Sequence, residues 1–150
     1  MLDRLIDTLS NLNALSPTHT EDFEKTLSDI ASQNDPDCIG KLVKFFRDDA
    51  KYDELMFSII HTIEVFEDVT YTREIQKSLP TLWAQSPKWA MILHVRILNS
   101  PSTLDAYITQ VSETSVVERH AIYKTLQAVE SKWPEFSGRC KLIIDRLAIL

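Results

Sequence analysis

Two histidines, a carboxylate and an arginine are the residues of this chain whose spacing could do chemistry. In the run IIHTIEVFED (59–68), His61 and Glu64 lie three residues apart, about one helical turn and on one side of a helix. His94 and Arg96 follow in HVRILNS (94–100). If His94 reached His61 and Glu64, the three would form a two-histidine, one-carboxylate set of the kind that binds zinc or iron. A single HxxE is weak support for that, and the HExxH and paired ExxH patterns are absent. The residues fit a quieter role better. His61 and His94 would hydrogen-bond between packed helices, and Glu64 would pair with Arg96, because an unpaired buried carboxylate is costly. Trp89 and Asn99 join them as core and hydrogen-bonding positions. No metal, cofactor or catalytic residue is assigned.

Other enzyme chemistry finds no foothold. The only glycines are Gly40 and Gly138, so no glycine-rich phosphate loop can be built. No serine sits in a nucleophile elbow, and neither Cys38 nor Cys140 has a histidine near it in sequence. The two cysteines lie far apart inside helical patterns and read as reduced, buried thiols, with a disulfide between them as the alternative. Trp83, Trp89 and Tyr71 could line a ligand pocket, but aromatics at helical spacing more often form core.

The acids are more telling. Between residues 48 and 68 stand Asp48, Asp49, Asp53, Glu54, Glu64, Glu67 and Asp68, against Lys51 alone. Asp53 and Glu54 belong to a first helical turn, where carboxylates suit the helix dipole. Glu67 and Asp68 are placed at the C-terminal end of the same helix, where the dipole disfavours them, and a locally costly charge suggests use by a partner. Residues 1–75 carry 16 acids against 7 Lys and Arg, a net of −9, whereas residues 76–150 carry 6 against 9, a net of +3. An acidic half repels phosphate backbones and excludes nucleic acid, but it can steer a basic protein. Asp48, Asp49, Asp53, Glu54, Glu67 and Asp68 are the candidate partner-binding residues.

The elements that position these groups are helices. Two glycines, against roughly ten at an average usage of ~7%, leave few of the turns and bulges that strands need. Apolar residues recur at helical spacing from Leu2 to Leu12, where a first helix runs towards Ser16-Pro17, and from Phe23 to Ala31 after a capping box of Thr18 and Glu21. Asp35-Pro36 opens a third helix with a core face of Ile39, Leu42, Val43 and Phe46. A fourth is expected from Tyr52 to Phe66, and a fifth from Thr70 to Leu79, stopped by Pro80 and followed by one extra turn to Gln85. Ser86-Pro87 starts a central sixth helix to Asn99. Ser102 with Asp105 caps a seventh, Thr114 or Ser115 begins an eighth, and a last helix sets Phe136, Cys140, Ile143, Leu147 and Leu150 on one stripe. The fold class is all-α in one domain over 1–150. Its eight or nine short helices form either stacked antiparallel pairs, an α-solenoid of HEAT-like kind, or a compact helical bundle.

The segment MLDRLIDTLSNL carries acids and no long apolar run, and no stretch approaches the ~18 apolar residues of a membrane span. A cytoplasmic protein without membrane contact is expected. The oligomeric state is not encoded in these features.

The string IIHTIEVFED, the Tyr71 segment, SLPTLWAQSPKWA and HVRILNS together resemble the core of the immunity protein 30 family, over about Asp35 to Asn99. Its motif parts are the His61/Glu64 helix, Leu79-Pro80, Pro87 with Trp89, and Arg96 with Asn99. The resemblance implies a non-enzymatic antidote of bacterial polymorphic-toxin and contact-dependent growth inhibition systems. Such a protein binds and blocks the cognate C-terminal toxin domain, often a nuclease. A basic nuclease cleft would suit the acidic half. The competing reading is a helical-repeat scaffold or adaptor for another basic cytosolic protein.

Overall fold

The computed structural model describes residues 1–12 and 20–150. The expected end of the first helix at Ser16-Pro17 and the Thr18 cap fall on 13–19, outside the described residues. Among the described residues there are nine α-helices and no strand: α1 (Leu2–Asn11), α2 (Thr20–Ser32), α3 (Asp37–Leu42), α4 (Asp53–Ile63), α5 (Asp68–Gln85), α6 (Pro87–Leu98), α7 (Pro101–Gln110), α8 (Val116–Lys132) and α9 (Ser137–Ala148). Single 3-10 turns follow α3, α7 and α8. The all-α expectation holds.

The helices pack in two layers. Along one, α1, α3, α5, α7 and α9 each touch the next; in the other, α2 packs on α4 and α6 on α8. Hairpin neighbours such as α1–α2, α5–α6 and α8–α9 join the layers, and α5 also packs on α8. This is the packing of stacked helix pairs, with α5 as the hub. One apolar core runs through it from Leu9 to Ile143, with Trp89 and Tyr107 the largest fully buried side chains.

Three element boundaries differ from the sequence reading. Helix α5 does not stop at Pro80 but runs through it to Gln85. Proline there removes the amide that would bond the Gln76 carbonyl, which costs about 3 kcal/mol in an isolated helix. Tertiary contacts outweigh that cost. Leu79 and Leu82 are buried on either side, and the Gln85 side chain donates to the carbonyls of Lys44 (2.8 Å) and Phe46 (3.2 Å). Helix α4 ends at Ile63, not Phe66, so Glu67 caps the next helix and Asp68 is its first residue. Helix α7 begins at Pro101 behind Ser100, two residues earlier than a Ser102 cap would place it. The Ser115 cap of α8 is a complete capping box with Glu118.

Candidate functional site

Helix α4 has two faces. At 100° per residue, Leu55, Met56, Ile59, Ile60 and Ile63 fall within an arc of about 140° and are all buried. Glu54, Phe57, Ser58 and His61 fall on the opposite side. That outer side floors a cleft of about 840 Å³, completed by Glu24 of α2, the Ala50–Tyr52 loop and Lys88 of α6. The cleft lies where α4 and α6 come together over Phe57, whose ring meets Trp89 edge-on at 5.3 Å.

The groove is acidic and aromatic. Glu24, Asp53, Glu54, Lys51 and Lys88 line it, and these five side chains carry a net formal charge of −1. Tyr52 and Phe57 provide apolar surface between the charges. Ser58 donates to Glu24 at 3.0 Å, tying α4 to α2. Lys88 organises the acidic rim. Its ammonium lies 3.6 Å from Asp53, and its backbone N–H donates to Asp48 at 3.2 Å, so Asp48 caps the first turn of α6. Asp49 is gripped by Arg47, whose Nε and Nη2 each donate at 3.2 Å.

The six acids expected to form one surface therefore divide. Asp48, Asp49, Asp53 and Glu54 gather at the N-terminal end of α4. Glu67 and Asp68 lie beyond its other end, about 15 Å away by helix rise. The dipole argument for the latter pair is reversed: at the start of α5 their charge is favoured, and they have local partners. Thr70 donates to Glu67 at 3.2 Å and Thr103 to Asp68 at 2.7 Å. No local cost singles them out.

Behind the groove lies a dry polar core. His94 is 1% exposed; its Nδ1–H donates to the Ala90 carbonyl at 2.8 Å, and its Nε2 accepts from the Tyr107 hydroxyl at 2.7 Å. That arrangement fixes the neutral imidazole. Burial pushes its pKa down to about 4, only partly opposed by the Ala90 bond, and burial likewise raises the Tyr107 hydroxyl well above its usual range. Gln76 completes the network by donating to the Tyr107 carbonyl at 3.0 Å, so α5, α6 and α7 are tied at one level. Trp89 is stacked on Phe46 at 5.8 Å and donates its indole N–H to the Arg47 carbonyl at 3.0 Å. Arg96 grips Glu64 with two bonds of 2.8 Å, joining the ends of α6 and α4. Asn99 is exposed and accepts from Arg139 of α9 at 2.8 Å.

His61 does not share this setting. It stands exposed on the groove face of α4, not between helices as expected, while both ring nitrogens of His94 are already engaged. The two histidines thus belong to opposite sides of the helix pair. Among the described residues no three His, Cys, Asp or Glu side chains converge as metal ligands. Cys38 and Cys140 are buried and unpaired, their thiols pushed up to about 11, chiefly by burial. No described helix is long and apolar enough to cross a membrane.

Sequence reasoning missed Glu24, Tyr52, Phe57 and Ser58 in the groove, and Gln76 and Tyr107 in the core. The helical phase of α4 was the available signal for Phe57, Ser58 and His61. Glu24 arrives from another helix and left no local trace.

The profile of one family, immunity protein 30, matches residues 11–107, which run from the end of α1 to the middle of α7. The chain belongs to the immunity protein 30 family. No curated protein and no solved structure matches it. The matched span of this immunity protein contains the whole groove, the Glu64–Arg96 pair and the His94–Tyr107 pair. Helices α8 and α9 lie beyond it, α8 packing on α5 and α6 and α9 on α7.

Proposed function

We propose that this immunity protein acts as a stoichiometric inhibitor, docking its α4 groove and acidic rim onto a basic cleft of its cognate toxin domain. The family match carries the immunity role; the acidic groove supports the placement. Asp48, Asp49, Asp53 and Glu54 form the rim at one end of α4, with Glu67 and Asp68 extending the acidic face beyond the other. Tyr52 and Phe57 are the kind of aromatic anchors on which interfaces concentrate their binding energy. Charge complementarity of this kind speeds encounter, with association rate constants reaching about 10⁸–10⁹ M⁻¹s⁻¹ at low salt. A basic cleft is typical of enzymes that cut nucleic acid, so a nuclease domain of a contact-dependent inhibition or polymorphic-toxin system fits best. Inhibition is by occlusion, with no chemistry contributed by this chain, and it takes place in the cytoplasm.

Co-expression with the toxin domain encoded beside this gene tests the reading. A complex that co-purifies at one-to-one stoichiometry, and growth protection of toxin-expressing cells, are expected. A soluble chain that neither co-purifies with the domain nor protects would refute it.

A further inference from the structure

A second, smaller pocket opens at the far end of α4, where it meets the start of α5, the end of α6 and the start of α7. It holds about 200 Å³. Its polar lining is Glu64, Asp68, Tyr71, Arg96, Ser100 and Thr103, and Phe66 and Ile97 add apolar wall. We propose that this pocket is a socket for one basic side chain, a lysine or arginine, of the toxin domain. The choice of the toxin as its source rests on the immunity reading above.

The hydrogen-bond inventory narrows the chemistry. Arg96 spends its Nε–H and one Nη2 hydrogen on the two Glu64 oxygens, each at 2.8 Å. Thr103 donates to Asp68 Oδ1, so the 2.9 Å contact between Ser100 and Thr103 has Ser100 as donor. The Ser100 and Thr103 donors are committed and two of the five Arg96 N–H groups are spent, while each carboxylate oxygen keeps a free acceptor site, since it can accept twice. One group is left over. The Tyr71 side chain is 4% exposed, and its hydroxyl has no hydrogen-bond partner. It lies in the field of both Glu64 and Arg96. Buried polar atoms are nearly always paired, and an orphaned one calls for a missing group.

Charge then selects the occupant. Glu64 and Arg96 cancel, leaving Asp68 and a net of −1. An anion would raise that to −2. An apolar group would leave the Tyr71 hydroxyl unpaired and strip water from Asp68. An ammonium or guanidinium neutralises the site and offers the donor Tyr71 lacks. At a share of about 30 Å³ per water, the pocket is several waters in size and therefore has room for a side-chain head. Phe66 and Ile97 suit the methylene stem behind it.

Ethylguanidinium, with propionate as control, probes the socket directly by ¹H–¹⁵N NMR of the full chain. Saturable shifts are expected at the Arg96 Nε–H and at the amides of Asp68, Tyr71 and Thr103 with ethylguanidinium, and none with propionate. Tyr71→Phe and Asp68→Asn should each weaken that binding at least about tenfold, the scale of a lost hydrogen bond to a charged group. Tyr71→Phe should not lower the urea midpoint, because Phe removes a hydroxyl without a partner; Asp68→Asn should lower it only slightly, because Asn keeps an acceptor for Thr103 and loses only the charge that favours the start of α5. Shifts that do not saturate, that propionate reproduces, or that survive Tyr71→Phe overturn the proposal. A toxin complex of unchanged affinity with both variants also overturns it, while leaving the immunity role intact. No complex even with the unaltered chain would instead strike the immunity role, and the guanidinium titration would still report on the pocket.

Discussion

The α4 groove and the core between α5, α6 and α7 both carry ionisable side chains, in opposite settings. In the core, His94 sits between Ala90 and Tyr107, and Gln76 has its own partner; each group is dry and satisfied. In the groove, Glu24, Asp53 and Glu54 stand exposed, and their contacts are single bonds to Ser58 or loose approaches to Lys88. A polar group whose partner is fixed within the fold contributes to stability. One facing solvent contributes little, because surface ion pairs are worth about 0–1 kcal/mol. The molecule thus separates the residues that hold it together from those free to meet a partner, and the separation runs through single helices.

The strongest way to break this comparison is to cut the core side. Trp89→Ala removes a fully buried indole, its stack on Phe46 and its bond to the Arg47 carbonyl. A loss of about 3–5 kcal/mol is expected in urea unfolding. Toxin binding should fall only in proportion to the fraction unfolded.

Next in size is the pH response of His94. Its pKa in the fold, about 4, lies below the ordinary 6.5, so the unfolded chain binds the proton more readily. The contribution of neutral His94 is complete above pH 6.5 and lost as pH falls from there towards 4. The slope within that window is about 1.4 kcal/mol per pH unit. His94→Leu should remove that part of the slope, read as the difference between the two proteins' unfolding free energies at pH 7.5, 6 and 5. Equal slopes would show that His94 accepts a proton without cost and is not dry.

The Glu64–Arg96 pair lies between the two settings. Its side chains are 27% and 38% exposed, so Glu64→Gln should cost about 1 kcal/mol, not the 3–5 of a broken buried pair. Smallest for stability are Glu54→Lys and Asp49→Lys, expected within about 0.5 kcal/mol of the unaltered chain.

How much of this was legible beforehand follows from what each feature depends on. The all-α class needed only helical spacing and the scarcity of glycine, both local properties. Glu64 and Arg96 were matched because both sit on apolar helices and each is expensive to bury alone. His61 and His94 looked alike as residue types, yet the phase of α4 alone puts His61 opposite Ile59, Ile60 and Ile63. In sequence Pro80 reads as a stop because its local cost is real, but the anchoring of Leu79, Leu82 and Gln85 by other helices is not written beside it. The sequence pattern puts Glu67 and Asp68 at the wrong helix end because Val65 and Phe66 prolong the apolar pattern past Ile63. In the structure Val65 is 64% exposed and the helix has already ended. The orphaned Tyr71 hydroxyl has no counterpart in sequence, since it arises where four helix ends meet.

The separation of scaffold from binding surface is tested most directly by association kinetics. The variant Asp49→Lys, Asp53→Lys, Glu54→Lys, Glu67→Lys would be mixed with the toxin domain at low salt and at high salt. The account predicts association slowed tenfold or more at low salt, a smaller difference at high salt where charges are screened, and a urea midpoint lowered only by the lost helix-dipole and surface-pair contributions of these acids, with the chain still folded. An association rate equal to that of the unaltered chain at low salt, with protection of cells intact, would contradict it.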